Sequence, residues 1–187
     1  MTNTRVPADA PELAGLKPFT EWTANVPHLR DEESKRRRKV VASLREAIIR
    51  TGLKNGDTIT FHHHFREGDK VILRVLAEVA ALGIRDLTLA GSSLNACHAG
   101  IIDHVRSGVI SRIYTSGMRG KLAEAISRGG LLPNPLMVHS HGGRVALMQT
   151  GELRPTVAFL DVSACDEYGN ANGVSGKRMP PLISPIS

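Results

Sequence analysis

Five short apolar runs recur along this chain, each separated from the next by residues of helical spacing or turn chemistry. That alternation constrains the fold more than any other feature. Thr58–Phe61, Leu87–Ala90, Val109–Tyr114, Leu136–Val138 and Val157–Leu160 read as strands. Val71, Ile72, Val75, Leu76, Val79 and Ala80 fall on one helical stripe between the first two runs, and Gly83 ends it. Ile101, Ile102 and Val105 mark a second helix closed by Gly108, and Leu122, Ala125 and Ile126 a third ended by Gly129-Gly130. Val145 to Gln149 fits a short helix or a strand. Strands spaced by helical patterns of roughly 10–15 residues argue for βαβ units and parallel pairing. The predicted class is therefore α/β: an open, mostly parallel sheet with flanking helices.

Three segments are expected. Residues 1–30 contain Pro7, Pro11, Pro18 and Pro27 with little periodicity and read as an arm. Residues 31–177 read as the domain, opening on a helix capped by Asp31, with Glu32 and Glu33 in its first turn. Its apolar stripe is Val40, Val41, Leu44, Ala47 and Ile48, and Gly52 stops it. Residues 178–187 hold Pro180, Pro181 and Pro185, which continue neither a helix nor a central strand. A chain of 187 residues can bury a core without a metal or disulfide. Cys97 and Cys165 lie far apart in no metal-like spacing and read as two thiols of a reducing cytoplasm. No apolar run approaches the roughly 18 residues of a membrane span, and the polar start has no signal-peptide core. A cytoplasmic location with no membrane partner is expected.

The net charge of +6 suggests nucleic acid, but its distribution argues otherwise. Lys35-Arg36-Arg37-Arg38-Lys39 carries five of those charges, which leaves the rest of the chain at +1. Preceded by Asp31, Glu32 and Glu33, the run reads as a solvated helix face with i,i+4 pairs. Only 4% of residues are aromatic, too few for base-stacking platforms. No nucleic-acid partner is expected.

Ligands of an open parallel sheet bind beyond the carboxyl ends of its strands. The segment after each predicted strand is rich in Gly, Ser, Asn, His or Arg: His62–Asp69, Gly91–Asn95, Thr115–Lys121, His139–Arg144 and Ser163–Gly173. The candidates for substrate or cofactor contact are Ser92, Ser93, Ser116, Gly117, Arg119, His141, Gly142, Gly143, Arg144 and Asn170. His62, His63, His64, Arg66, Glu67 and Gly68 form the loop after the first strand. In an extended segment His62 and His64 point to one side and His63 to the other, so a metal would need a further ligand such as Glu67. Imidazole and backbone donors around a developing oxyanion fit the loop better, and no metal is expected. Arg66, Arg119, Lys121 and Arg144 together favour an anionic ligand, since guanidinium forks suit carboxylates and phosphates. Glu67, Asp166 and Glu167 could serve as base or nucleophile, or hold a loop together. Sharper motifs fail. Ala171–Arg178 lacks the first Gly and the Ser/Thr of a P-loop. No G-x-G-x-x-G opens a helix, and no G-x-S-x-G elbow accompanies His141-Gly142-Gly143.

From Gly52 to Lys177 the chain resembles the alpha chain of bacterial citrate lyase, the citrate CoA-transferase subunit. The likeness is carried by His62-His63-His64-Phe65-Arg66-Glu67-Gly68-Asp69, Arg112–Gly117, His139-Ser140-His141-Gly142-Gly143-Arg144-Val145 and Ala164–Gly173. The resemblance implies the first of two α/β domains of a CoA-transferase-like fold. It implies exchange of acetate for citrate on an acyl carrier thioester, with no covalently bound cofactor and a CoA-like carrier group as substrate. The implied partners are the citrate lyase beta chain, the acyl carrier gamma chain and citrate. His62 to Gly68 occupy the place of the family's oxyanion loop. The family's nucleophilic glutamate lies in a second half, and from Arg178 the pattern is no longer followed. A shortened product is therefore expected, inactive alone, with no assigned nucleophile and Glu67 as the fallback. The alternative is a non-catalytic module that binds a CoA-like ligand or partner subunits.

Overall fold

Each predicted apolar run becomes a strand. The computed structural model describes residues 37–61, 68–160, 162 and 164–172. Helix α1 (Leu44–Thr51) precedes β1 (Thr58–Phe61). Then come α2 (Val71–Ala81), β2 (Leu87–Gly91), a 3₁₀ turn (Ala96–His98), α3 (Ile101–Arg106) and β3 (Ile110–Thr115). Next are α4 (Gly120–Gly129), β4 (Met137–Val138), α5 (His141–Thr150) and β5 (Val157–Phe159). A two-stranded hairpin, β6 (Ala164–Cys165) and β7 (Ala171–Asn172), ends the described chain. The five main strands form one sheet in the order β4-β3-β2-β1-β5, and every pairing within it is parallel. The α/β class with a parallel sheet is as the sequence predicts. The segment 145–149, ambiguous in sequence, is helical.

Strand alternation gives the sheet one apolar face. Ile59 and Phe61, Leu87 and Leu89, Ile113 and Val157 join Ile48 of α1, Val75 and Val79 of α2, Ile101 of α3 and Leu122 of α4 in a single buried cluster. Phe61 and Phe159 stack with ring centroids 5.1 Å apart at the end of β1 and β5. The register pairs Thr60 with Ala90 and Ala90 with Tyr114, and Thr88 with Arg112, so the opposite face is small and polar. Helix α5 belongs to that second face. The chain crosses from β4 at one edge to β5 at the other, against the direction of the earlier crossovers, and a right-handed connection then lies on the other side. No residue of α5 is buried, and Val145 remains 55% exposed.

The first helix departs from expectation. Residues 31–36 lie outside the described residues, 37–43 are not helical, and α1 begins only at Leu44. The reason is a cap at Ser43. Ser43 Oγ accepts from Glu46 N at 3.1 Å, and Glu46 Oε2 accepts from Ala42 N at 3.1 Å. Val40, expected on the buried stripe, is 66% exposed. The expected i,i+4 pairs of the basic run involve residues outside the described ones, but its end makes tertiary contacts: Arg38 Nε donates to Glu167 Oε2 at 2.6 Å and Lys39 N to Glu167 O at 2.7 Å. The expected arm and tail fall outside the described residues.

A one-sided core makes a direct prediction. Leu89→Ala, in the buried cluster, lowers stability by about 2–5 kcal/mol in urea unfolding, whereas Val145→Ala on α5 changes it by less than about 0.5 kcal/mol.

Candidate functional site

All five main strands run the same way, so the segments beyond them leave the sheet at one edge. The strand order reverses between β1 and β5, the position at which open parallel sheets form a crevice. Residues 62–67, and with them His62, His63, His64, Arg66 and Glu67, lie outside the described residues. Gly68, the last member of that loop, is described just ahead of α2.

The rest of the rim is knitted by hydrogen bonds. Beyond β2 and β3 the ladder continues as a loop-to-loop link: Ser116 N donates to Ser92 O at 2.8 Å, Leu94 N to Gly117 O at 2.9 Å and Arg119 N to Leu94 O at 2.9 Å. The Ser116 hydroxyl also donates to Ser92 O. His139 N donates to Thr115 O at 3.0 Å, which brings in the segment after β4. Gly120 opens α4 at φ 69, and a Cβ there would sit 3.1 Å from Ala96 Cα, so only glycine allows the two loops to approach so closely.

Below this rim lies a pair of which sequence reading singled out Asp69, as the end of the loop after β1, but not His98. Asp69 Oδ1 accepts from Val71 N at 2.7 Å, as a cap of α2, and Asp69 Oδ2 lies 3.1 Å from His98 Nε2. The side chains are 4% and 0% exposed. His98 Nδ1 accepts from Asn95 N at 2.9 Å, so the neutral ring carries its proton on Nε2 and donates it to Asp69. The pair ties the end of the loop after β1 to the turn after β2. Asp69 and His98 are 29 positions apart, and the one signal for His98, the Asn95-x-x-His98 spacing of a capping box, went unread.

Arg144 joins α5 to the sheet. Its Nη1 donates to Ser92 Oγ at 2.9 Å, and its Nη2 to Ala90 O at 3.3 Å and to Thr60 Oγ1. Half-burial pushes its guanidinium below the ordinary arginine value. Ser140 Oγ caps α5 by accepting from Gly143 N at 2.9 Å, while His141 and Gly142 stay exposed at its start. Thus Ser92, Ser116, Gly117 and Arg144 meet in one hydrogen-bonded cluster, with Ser93 beside them. Arg119 and Lys121 are exposed at the head of α4.

The remaining candidates sit in the β6–β7 turn. Asp166 Oδ1 accepts from Tyr168 N and Asn170 N, each at 2.9 Å, and Asp166 Oδ2 from Asn170 Nδ2 at 2.7 Å. The Asn170 side-chain amide, then the backbone donors, hold the Asp166 carboxyl below its usual range. Gly169 follows at φ 83, packed on the Lys39 side chain. Asp166 and Glu167, either of which could have been a base, here hold a loop together. Among the described residues no hydrogen bond links Asn170 to the Ser92–Arg144 cluster. No group of three or more metal-ligating side chains occurs among the described residues. A depression of about 470 Å³ between α4 and residues 130–136 lies at the other end of β4 and is lined by no charged side chain.

Comparison with known proteins gives the fold a context. A model of the family "Citrate lyase, alpha subunit (CitF)" matches residues 37–181. The citrate lyase alpha chain of Klebsiella pneumoniae is 58% identical over 163 residues, 87% of this chain and 32% of that one. The Escherichia coli (strain K12) alpha chain is 57% identical over 145 residues, 78% of this chain and 28% of its own. A Streptococcus mutans protein solved as the alpha subunit of citrate lyase in complex with citrate superposes with a TM-score of 0.72 at 47% identity, covering 76% of this chain and 28% of that one. The chain spans about a third of the length of the curated relatives it matches.

Two measurements probe this geometry. Asp69→Ala leaves the buried His98 donor without a partner and costs about 1–3 kcal/mol in chemical unfolding. The lowered Asp166 value means that its contribution to the turn is full above the unfolded carboxyl pKa and is lost as pH falls through the folded one. The protection factors of the Tyr168 and Asn170 amides, relative to their intrinsic exchange rates, therefore fall on acidification below the ordinary carboxylate range, and Asp166→Ala shows the low protection already at neutral pH.

Proposed function

Because the chain belongs to the citrate lyase alpha subunit family, we propose that it supplies the first α/β domain of a citrate CoA-transferase subunit. The reaction is exchange of an acyl group on a carrier thioester: acetyl thioester and citrate give citryl thioester and acetate. The observation that carries this proposal is the family match over residues 37–181, which takes in every rim segment of the sheet. The streptococcal relative solved with citrate supports the acid.

The chemistry asks for three things. A carboxylate attacks the acetyl thioester carbonyl, expels the carrier thiolate and forms an anhydride. The thiolate returns to the enzyme carbonyl, expels acetate and makes an enzyme thioester. A citrate carboxylate attacks that thioester, releasing the thiolate and forming a citryl anhydride, and the thiolate then attacks the citryl carbonyl, giving the citryl thioester and freeing the carboxylate. At each attack the carbonyl oxygen becomes negative and needs preorganised donors, and the tricarboxylate needs cations. His62, His63, His64, Arg66 and Gly68 serve as the donor loop after β1. Ser92, Ser93, Ser116, Gly117, Arg119, His141, Gly142, Gly143, Arg144 and Asn170 serve the acid and the CoA-like group. The nucleophilic glutamate belongs to the part of the relatives that this chain does not match. The beta chain and the acyl carrier gamma chain are the partners, in the cytoplasm, and the protein holds no covalent cofactor of its own.

The purified 187-residue chain is expected to show no exchange between acetyl-CoA and citrate, and to gain it when a fragment covering the rest of a relative's alpha chain is added. Clear turnover by the chain alone overturns its inactivity and makes Glu67 the candidate nucleophile, which Glu67→Gln would abolish. Binding of CoA or of partner subunits without exchange in either experiment favours a non-catalytic module.

A further inference from the structure

We propose that the Arg144 guanidinium is the charge that receives the anionic end of the ligand, a carboxylate of the acid or a phosphate of the CoA-like group. This assignment rests on the proposed transferase function and deepens it. The first observation is the nature of the residue's partners. Ser92 Oγ, Ala90 O and Thr60 Oγ1 are all neutral, and among the described residues no carboxylate pairs with Arg144. Drawing a cation halfway out of water is costly unless an opposite charge meets it. Its lowered pKa has that desolvation as its cause.

The second observation is where the cation lies. Thr60 and Ala90 are paired residues near the carboxyl ends of β1 and β2, and Ser92 comes directly after β2. The guanidinium is therefore held at the ligand-bearing edge, on the face opposite the apolar core and beside the reversal between β1 and β5. A guanidinium has five N–H donors, and its bonds to Ser92, Ala90 and Thr60 account for three of them.

The third observation is what the link does for the helix. Helix α5 has no fully buried residue and only Leu147 of its large apolar side chains is half-buried, so the Arg144 hydrogen bonds are a principal tie between it and the sheet. A neutral amide could span the same hydroxyls and carbonyl without the cost of desolvation. The charge needs a second purpose, and a fork already fixed on one side by Thr60 and Ser92 is preorganised for a planar or tetrahedral anion on the other.

The test is ligand binding by the 187-residue chain, read by calorimetry and by thermal shift, with citrate and CoA as separate probes. Arg144→Gln is expected to weaken at least one of them by more than about tenfold, and Arg144→Lys by about tenfold, because an ammonium keeps the charge but loses the fork. Loss confined to citrate assigns the carboxylate, and loss confined to CoA assigns the phosphate; both support the proposal. If Arg144 were only a strut, both variants would melt earlier yet keep the wild-type affinities, which overturns the proposal and leaves the transferase function standing. Should Arg144→Gln fail to fold, Arg144→Lys and Ser92→Ala decide, and unchanged affinity in both overturns it equally. Wild-type chain that binds neither citrate nor CoA, even when a fragment covering the rest of a relative's alpha chain is added, removes the proposed function and this assignment with it.

Discussion

Two parallel strands cannot be joined by a tight turn, and the chain must cross back over the sheet before it can add the next one. That requirement organises the molecule. The crossovers through α2, α3 and α4 all progress in one direction, from β1 to β4, and bury Ile59, Phe61, Leu87, Leu89 and Ile113 beneath them. The last crossover returns to the far side of β1. It puts α5 on the polar face and makes a reversal between β1 and β5. The core and the candidate site are thus products of the same connectivity: one face stores the apolar burial, and the carboxyl edge beside the reversal collects the functional loops.

The loops at that edge are ordered by polar contacts more than by packing. The segments after β2 and β3 share a continuation of the strand ladder, His139 adds the segment after β4, and Asp69 with His98 secures the approach to α2. Three acidic side chains near the rim find local structural partners. Asp69 caps a helix and takes the His98 donor, Asp166 closes the β6–β7 turn, and Glu167 ties down Arg38. Among the described residues Arg144 has neutral partners only, while Arg119 and Lys121 stay exposed.

Much of this could be read without coordinates. The β1–α2–β2 unit follows from Ile59 and Phe61 alternating in a strand and from Ile72, Val75, Leu76 and Val79 recurring at helical spacing. The polar composition of the loops after each strand, together with parallel pairing, placed Ser92, Ser116, Gly117 and Arg144 on one edge. The first helix was extended too far because nothing local to 37–43 breaks it. The Ser43-x-x-Glu46 cap and the docking of residues 38–39 on Glu167 start it at Leu44, and that contact spans 129 positions for Arg38. Residues 145–149 were undecidable because α5 has no apolar stripe: it lies on a face with almost nothing greasy to bury.

Local pattern by itself determined the class of fold, the succession of strands and helices, and the edge at which chemistry belongs, because periodicity and turn residues act over a few positions. Which charges meet which partners was decided only in three dimensions. The Asp69–His98 pair, the Glu167 tether and the seat of Arg144 on Thr60 and Ser92 each join residues tens of positions apart. A hydrogen bond of that kind depends on where the crossovers deliver two backbones, and no spacing along the chain encodes it.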